Sequence, residues 1–340
     1  MNKRESGLDL LRCVALLFVN GVHGFLNSTF YYQPQTGFVM WCADSNRWLF
    51  FCCNCLFMMI TGYLRSGKTY KKGYYRSLFV ILIGYVLTCL ISFPIRHFLL
   101  DDKLSLYGWL EKLVTFGNYA WYVEMYIGLF LLSPFLNIIL EKLDTPKQYL
   151  WLLGTMLFLT ALPSITPANI IPDYWTALYP LTMYVIGAGI RRFRPNLPGW
   201  LAGLLAVATV CLMGLFSILS TDKKFSDGFT QGYGGFWVTL AGTLVFLSLY
   251  RVQLPKKVAS CVRWMAGGCF EGYLLSRLFD VWAYTAMPFR WREPDRYWLL
   301  FLLVTIPIFI ASILLGKLTH WFAEKLANLL LPVKKETPVQ

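Results

Sequence analysis

Apolar runs of about twenty residues recur along the 340-residue chain, each closed by a short polar break. At about 1.5 Å of rise per residue, a run of that length crosses the hydrocarbon core of a bilayer as a helix. The pattern predicts ten spans, near 7–27, 47–65, 76–96, 119–140, 148–163, 176–190, 199–219, 234–250, 260–283 and 297–326. These lengths suit helices, which satisfy their own backbone groups in lipid, so a β-barrel is dismissed. The expected fold class is all-α: a polytopic transmembrane helix bundle over residues 1–331, followed by a short polar cytoplasmic tail at 332–340. The first run follows Lys3 and Arg4 as a signal peptide would, but no small-residue cleavage site closes it. It reads as a retained first helix.

Composition agrees with the pattern. With 57% hydrophobic and 14% charged residues the chain has no water-soluble surface to offer, which excludes a soluble globule. The net charge of +13 is carried by short inter-span segments, so it speaks of membrane topology and lipid headgroups and not of nucleic acid. Lys and Arg favour the side holding the N-terminus by two to one, giving an N-in, C-in orientation. Nearly all the cysteines fall inside apolar runs, where the residue acts as a small buried hydrophobe. Cys52-Cys53-Asn54-Cys55 lacks a CxxC pair and a second ligand pair, so no metal is expected. The Gly-rich stretch from Gly228 to Phe236 reads as a flexible outer connection.

Ionisable residues inside the spans carry the chemistry, because a charge near the bilayer centre costs at least ~2.5 kcal/mol and persists for a reason. They are Asp9, Arg12 and His23 on the first span, Glu124 on the fourth, Glu271, Arg277 and Asp280 on the ninth, and Lys317 with His320 on the tenth. Arg12 and His23 stand eleven residues apart, close to three helical turns, so both point one way with roughly 16 Å of axial separation. Asp9 and Asn20 each precede one of them by three residues and complete a polar seam that faces the protein interior. The plain reading of the seam is a topology-setting Asp9–Arg12 pair with a core histidine. The chemical reading is a through-membrane site, with Arg12 offering a donor fork to phosphate and His23 abstracting a proton from a hydroxyl.

Gly7-Leu-Asp-Leu-Leu-Arg12 and, ten residues on, His23 resemble the first-helix signature of the membrane acyltransferase-3 family, integral-membrane O-acyltransferases of cell-surface glycans. Met58-Met-Ile-Thr-Gly-Tyr-Leu64 is similar to that family's second-helix "SGY" ending, and Trp121-Tyr122 through Leu132-Ser-Pro-Phe-Leu136 to its "WY…L..P.L" span. Tyr184-Val-Ile-Gly-Ala-Gly189 resembles the "Y.iG" span, and Phe270-Glu-Gly-Tyr-Leu-Leu-Ser276 the "fgiYLiH" span. The chain departs from the pattern twice: Ser276 stands where many members carry His, and Lys72 with Arg76 replaces an R-x-x-R.

The resemblance implies a ten-helix bundle that passes an acyl group, usually acetyl, from cytoplasmic acyl-CoA to an extracytoplasmic polysaccharide or lipid-linked sugar. Arg12 then maps to the residue assigned to the coenzyme A phosphates and His23 to the catalytic histidine. Asp9, Lys72 and Arg76 join Arg12 in the expected donor site, and Trp121, Tyr122 and Asn20 flank the acceptor. Glu124 has two readings: a carboxylate that orients His23, or a hydrated interfacial anchor. Arg277 and Asp280, at i,i+3, are expected to pair. Two rival functions remain open at this point, a transporter or flippase and an amino-acid-binding membrane module related to serine racemase-type resistance proteins.

Overall fold

A computed structural model describes residues 5–70, 74–99, 105–114, 120–166, 171–220, 225, 232–286 and 296–331. The described chain is helical, with no strand among the described residues. In order it forms α1 (Ser6–Leu26), α2 (Gly37–Phe51), α3 (Cys53–Arg65), α4 (Arg76–Leu99), α5 (Leu106–Val114), α6 (Trp121–Glu141) and α7 (Pro146–Thr160). There follow α8 (Tyr179–Phe193), α9 (Gly199–Leu219), α10 (Phe236–Leu249), α11 (Lys256–Ala266), α12 (Cys269–Ala286), α13 (Tyr297–Leu300) and α14 (Ile306–Leu330). Lys72 and residues 228–231 of the Gly-rich stretch lie outside the described residues.

Six helices among the described residues are long and apolar enough to cross a membrane: α1, the joined α2–α3 rod from Gly37 to Arg65, α4, α6, α9 and the rod from Trp298 to Leu330. The other expected spans are helical too, but differ in build. α7 and α8 have 15 residues each and α10 has 14, with α7 prolonged by a 3-10 turn at Leu162–Ile165. The run expected as one span at 260–283 is two helices, because Gly267 and Gly268 break it, and α12 then carries Glu271, Arg277 and Asp280. Conversely, the second span begins ten residues earlier than its hydropathy suggests, at Gly37, since Asp44, Asn46 and Arg47 dilute the apolar signal of a continuous rod.

Lipid tails are as apolar as leucine, so the bundle is held by close packing at small residues. The clearest case is the crossing of α3 and α8. A Cβ on Gly62 would strike the Tyr184 backbone, and one on Gly187 would strike that of Met59. The "SGY" and "Y.iG" stretches are therefore the two faces of one contact. Gly268, Gly272 and Gly316 let α12 and α14 approach in the same way. Arginines cap helix ends whose last carbonyls lack partners. Arg191 donates to Tyr63 O (2.8 Å), and Arg192 to Leu140 O and Leu143 O (both 2.7 Å).

Candidate functional site

α1 stands at the centre of the site, with α12 along one side and α3 along another. Its stripe against α12 can be followed level by level: Cys13 meets Cys269, Leu16 meets Gly272, His23 meets Asp280 and Gly24 meets Tyr284. Near the N-terminal end of α1 the carboxylate of Asp9, a residue 3% exposed, accepts from Arg12 Nη1 at 2.8 Å. The carboxylate holds the guanidinium in a fixed pose and lies in the first turn of α1, where the helix dipole favours a negative charge. Three turns on, Asp280 Oδ2 lies 2.8 Å from His23 Nδ1, and Asp280 is completely buried. Asn20, on the stripe between Cys13 and Gly24, is 1% exposed, and neither side-chain atom has a hydrogen-bond partner.

A cavity of about 300 Å³ runs beside this helix. One end is lined by Arg12, Arg65 and Lys68, and its walls and other end include Val19, Asn54, Phe57, Tyr122, Tyr126 and Tyr273. His23 lies one turn beyond Val19, past the end away from the cations. A larger cavity of about 650 Å³ between α1, α2 and the last rod is lined by Phe25, Phe50, Phe301 and other residues, none of them charged.

The basic end is built by a specific network. Pro134 has no N–H to give the Phe130 carbonyl one turn back, and Tyr74 Oη and Ser133 Oγ donate to that carbonyl instead, each at 2.9 Å. Ser133 Oγ accepts from Arg65 Nε at 3.3 Å, and the Arg65 guanidinium lies 3.8 Å above the Phe130 ring. Asn137 Nδ2 donates to Arg65 O and Lys68 O, both at 2.8 Å, while Asn137 Oδ1 accepts from Tyr184 Oη at 2.9 Å. The Leu132-Ser-Pro-Phe-Leu136 stretch thus serves to hold the turn carrying Arg65 and Lys68. Burial, with the neighbouring Arg65 and Arg191 guanidinium groups, holds the Lys68 ammonium below its ordinary range.

The expected residues divide into those brought together and those set apart. Arg12 and Tyr122 line the cavity, Asp9 grips Arg12, and Trp121 stacks on Tyr233 at 5.2 Å. Glu124 is corrected: the carboxylate on His23 is that of Asp280, and Glu124 is exposed on α6. Tyr122 and Tyr126 face the cavity, and a residue two positions from each sits about 200° round the helix from both. In place of the expected Arg277–Asp280 pair, Asp280 meets His23 through Oδ2. Arg76 bonds Asn328 of α14 and does not line the cavity, so Arg65 and Lys68 join Arg12 in charging it. In the sequence the basic cluster of Arg65, Lys68, Lys71, Lys72 and Arg76 reads most simply as topology and lipid-headgroup charge, yet it also surrounds the expected entrance for a polyanionic donor. Asn54 lies eleven residues before Arg65, the spacing that singles out Arg12 and His23, and that signal was there to be read.

A polytopic helical bundle with a charged, imidazole-bearing seam sealed among its spans is an integral-membrane protein with an intramembrane site. A profile of the acyltransferase-3 family, described as an acyltransferase domain, matches residues 5–317, and the chain belongs to that family. It is a multi-pass membrane acyltransferase. Neither the comparison with curated proteins nor that with solved structures gave a match.

Proposed function

We propose that this acyltransferase moves an acyl group, acetyl in the simplest case, from cytoplasmic acyl-CoA to a hydroxyl of an extracytoplasmic polysaccharide or lipid-linked sugar. In this reading the protein lies in the cytoplasmic membrane, spans it ten times and has both termini inside. The observation that carries the reading is the cavity beside α1, with three cations at one end and its other end one turn short of His23. The donor's phosphates sit against Arg12, Arg65 and Lys68, where an arginine fork and a lysine point charge suit phosphate oxygens. The pantetheine arm runs between Phe57 and Tyr273 and brings the thioester to the outer end.

With Nδ1 held by Asp280, His23 presents Nε2 as the basic nitrogen. It takes the proton of the acceptor hydroxyl as that oxygen attacks the thioester carbonyl, then returns a proton to the departing thiolate. Asp280 fixes the tautomer and stabilises the imidazolium formed on the way. Trp121 and Tyr233, stacked at 25°, and Phe51 beyond them offer an aromatic face to a sugar. The test is acyl transfer from labelled acetyl-CoA by the purified protein in liposomes bearing envelope glycans. His23→Ala should abolish transfer with coenzyme A binding intact, while Arg12→Ala weakens that binding. Transfer by His23→Ala at the wild-type rate would leave the assignment untenable.

A further inference from the structure

The spacing that aligns Arg12 with His23 occurs again on α3. Asn54 and Arg65 are eleven residues apart, so they share a face with roughly 16 Å between them along the axis. The α2–α3 rod follows α1 after one short connection and runs back antiparallel to it, and Arg12, Arg65 and Asn54 line one cavity. The two cations mark one end. At the other end Asn54 lines the cavity beside Val19, and His23 stands one turn of α1 further on.

Asn54 is 4% exposed, and its amide nitrogen has no hydrogen-bond partner. The Tyr233 hydroxyl approaches the amide without satisfying that nitrogen. Leaving a buried amide N–H unpaired is unfavourable, and here the residue that carries it lines a cavity and not only a packed core. The neighbours do not share the condition: Cys52 donates to Trp48 O and Cys55 to Tyr233 O. Nor is Asn54 needed as a cap, for α3 simply continues α2 through Cys52.

We propose that Asn54 Nδ2 donates a hydrogen bond to the thioester carbonyl oxygen and holds the negative charge that this oxygen gains during transfer. The inference rests on the acyl-transfer reading above. In the step itself, the acceptor oxygen forms a bond to the acyl carbon and its proton passes to His23. The carbonyl oxygen becomes an oxyanion, the carbon–sulfur bond then breaks, and the thiolate leaves as a thiol with the proton from His23. An ester and a free thiol replace a thioester and an alcohol, and no oxidant or metal enters the balance. A preformed donor that is unpaired in the ground state is suited to this task, because it has no existing bond to surrender as the charge develops.

The experiment compares Asn54→Ala, Asn54→Ser and Asn54→Asp in the full-length protein reconstituted in liposomes. Turnover with acetyl-CoA is read beside the Kd of coenzyme A itself, which has no thioester carbonyl and so reports folding and donor binding apart from the reacting group. Removing one oxyanion donor lowers kcat by roughly 100-fold to 1,000-fold, and Asn54→Ala and Asn54→Asp should do so with the Kd unchanged. Asn54→Ser keeps a donor at nearly the volume of alanine and should retain more turnover than Asn54→Ala. Equal turnover in the serine and alanine variants, or a loss of coenzyme A binding that parallels the loss of rate, overturns the proposal. Absence of any transfer by the wild-type protein would sink the acyl-transfer reading itself, a failure distinct from that of Asn54.

Discussion

The contact between His23 and Asp280 gives the sharpest quantitative test. Asp280→Asn keeps the shape of the side chain and removes its charge. Opposite charges 2.8 Å apart attract by about 6 kcal/mol at an effective dielectric constant of ~20. Asparagine retains a hydrogen bond to Nδ1–H worth about 1 kcal/mol, which leaves roughly 4–5 kcal/mol lost when the imidazolium forms. At about 1.4 kcal/mol per decade, kcat should fall by about 1,000-fold or somewhat more. Asp280 Oδ1 has no hydrogen-bond partner, so the asparagine NH2 would also go unpaired there, a stability cost opposed by the removal of a buried charge. The melting temperature should therefore move little while the rate collapses. The assay is release of free coenzyme A thiol from acetyl-CoA in the presence of acceptor, with coenzyme A binding measured in parallel. A kcat within tenfold of wild type, with binding intact, refutes the view that Asp280 stabilises a charged His23.

Lys68→Ala should raise the Kd of coenzyme A by roughly tenfold to a hundredfold, the range for a hydrogen bond to a charged group, and equilibrium titration reads it. Because burial and adjacent arginines hold Lys68 below the usual 10.5, affinity should be full near neutral pH and fall as pH rises through that lowered value. Lys68→Arg should flatten the fall, and an unchanged profile counts against Lys68 as a phosphate ligand. Glu124→Gln, on the exposed face of α6, should leave turnover within about threefold of wild type, as surface changes away from a site do. A larger loss would restore the carboxylate to the site. Gly187→Ala drives a Cβ into the Met59 backbone, an overpacking cost of about 1–3 kcal/mol that exceeds the ~1 kcal/mol gain in helix propensity. Gly154→Ala, with open space around it, should show the gain alone, and thermal melts of the two variants should move in opposite directions.

The polar seam of α1 could be read from the sequence because one helix contains it: periodicity alone places Asp9, Arg12, Asn20 and His23 together. Asp280 could not be tied to His23 that way, since 257 residues separate them and only the packing of α1 on α12 joins them. A partial sign existed, for Asp280 follows Cys269 and Tyr273 at helical spacing, and that face meets α1 and the cavity. Arg65 and Lys68 were hidden by ambiguity of another kind. A cation at the end of a span sets topology whether or not it lines a cavity, and composition cannot separate the two roles. Glu124 was misplaced by reasoning from depth without azimuth. Two residues either side of it, Tyr122 and Tyr126, fixed the inner face of α6 and left the glutamate facing outward.

The repeated eleven-residue interval turns α1 and α3 into a pair of rulers graduated in the same unit. Inserting one alanine between Arg12 and His23 would advance the imidazole by about 1.5 Å but swing it about 100° away from Asp280. The same insertion between Asn54 and Arg65 would turn the amide out of step with the cations while leaving topology as it is and lengthening the span by only about 1.5 Å. Lengthening either helix beyond those windows, toward the connection at 27–36 or the N-terminus, keeps both graduations in phase. Such a protein can adapt to thicker or thinner bilayers only at its ends, because the distance it measures is set by helix pitch and not by the membrane around it.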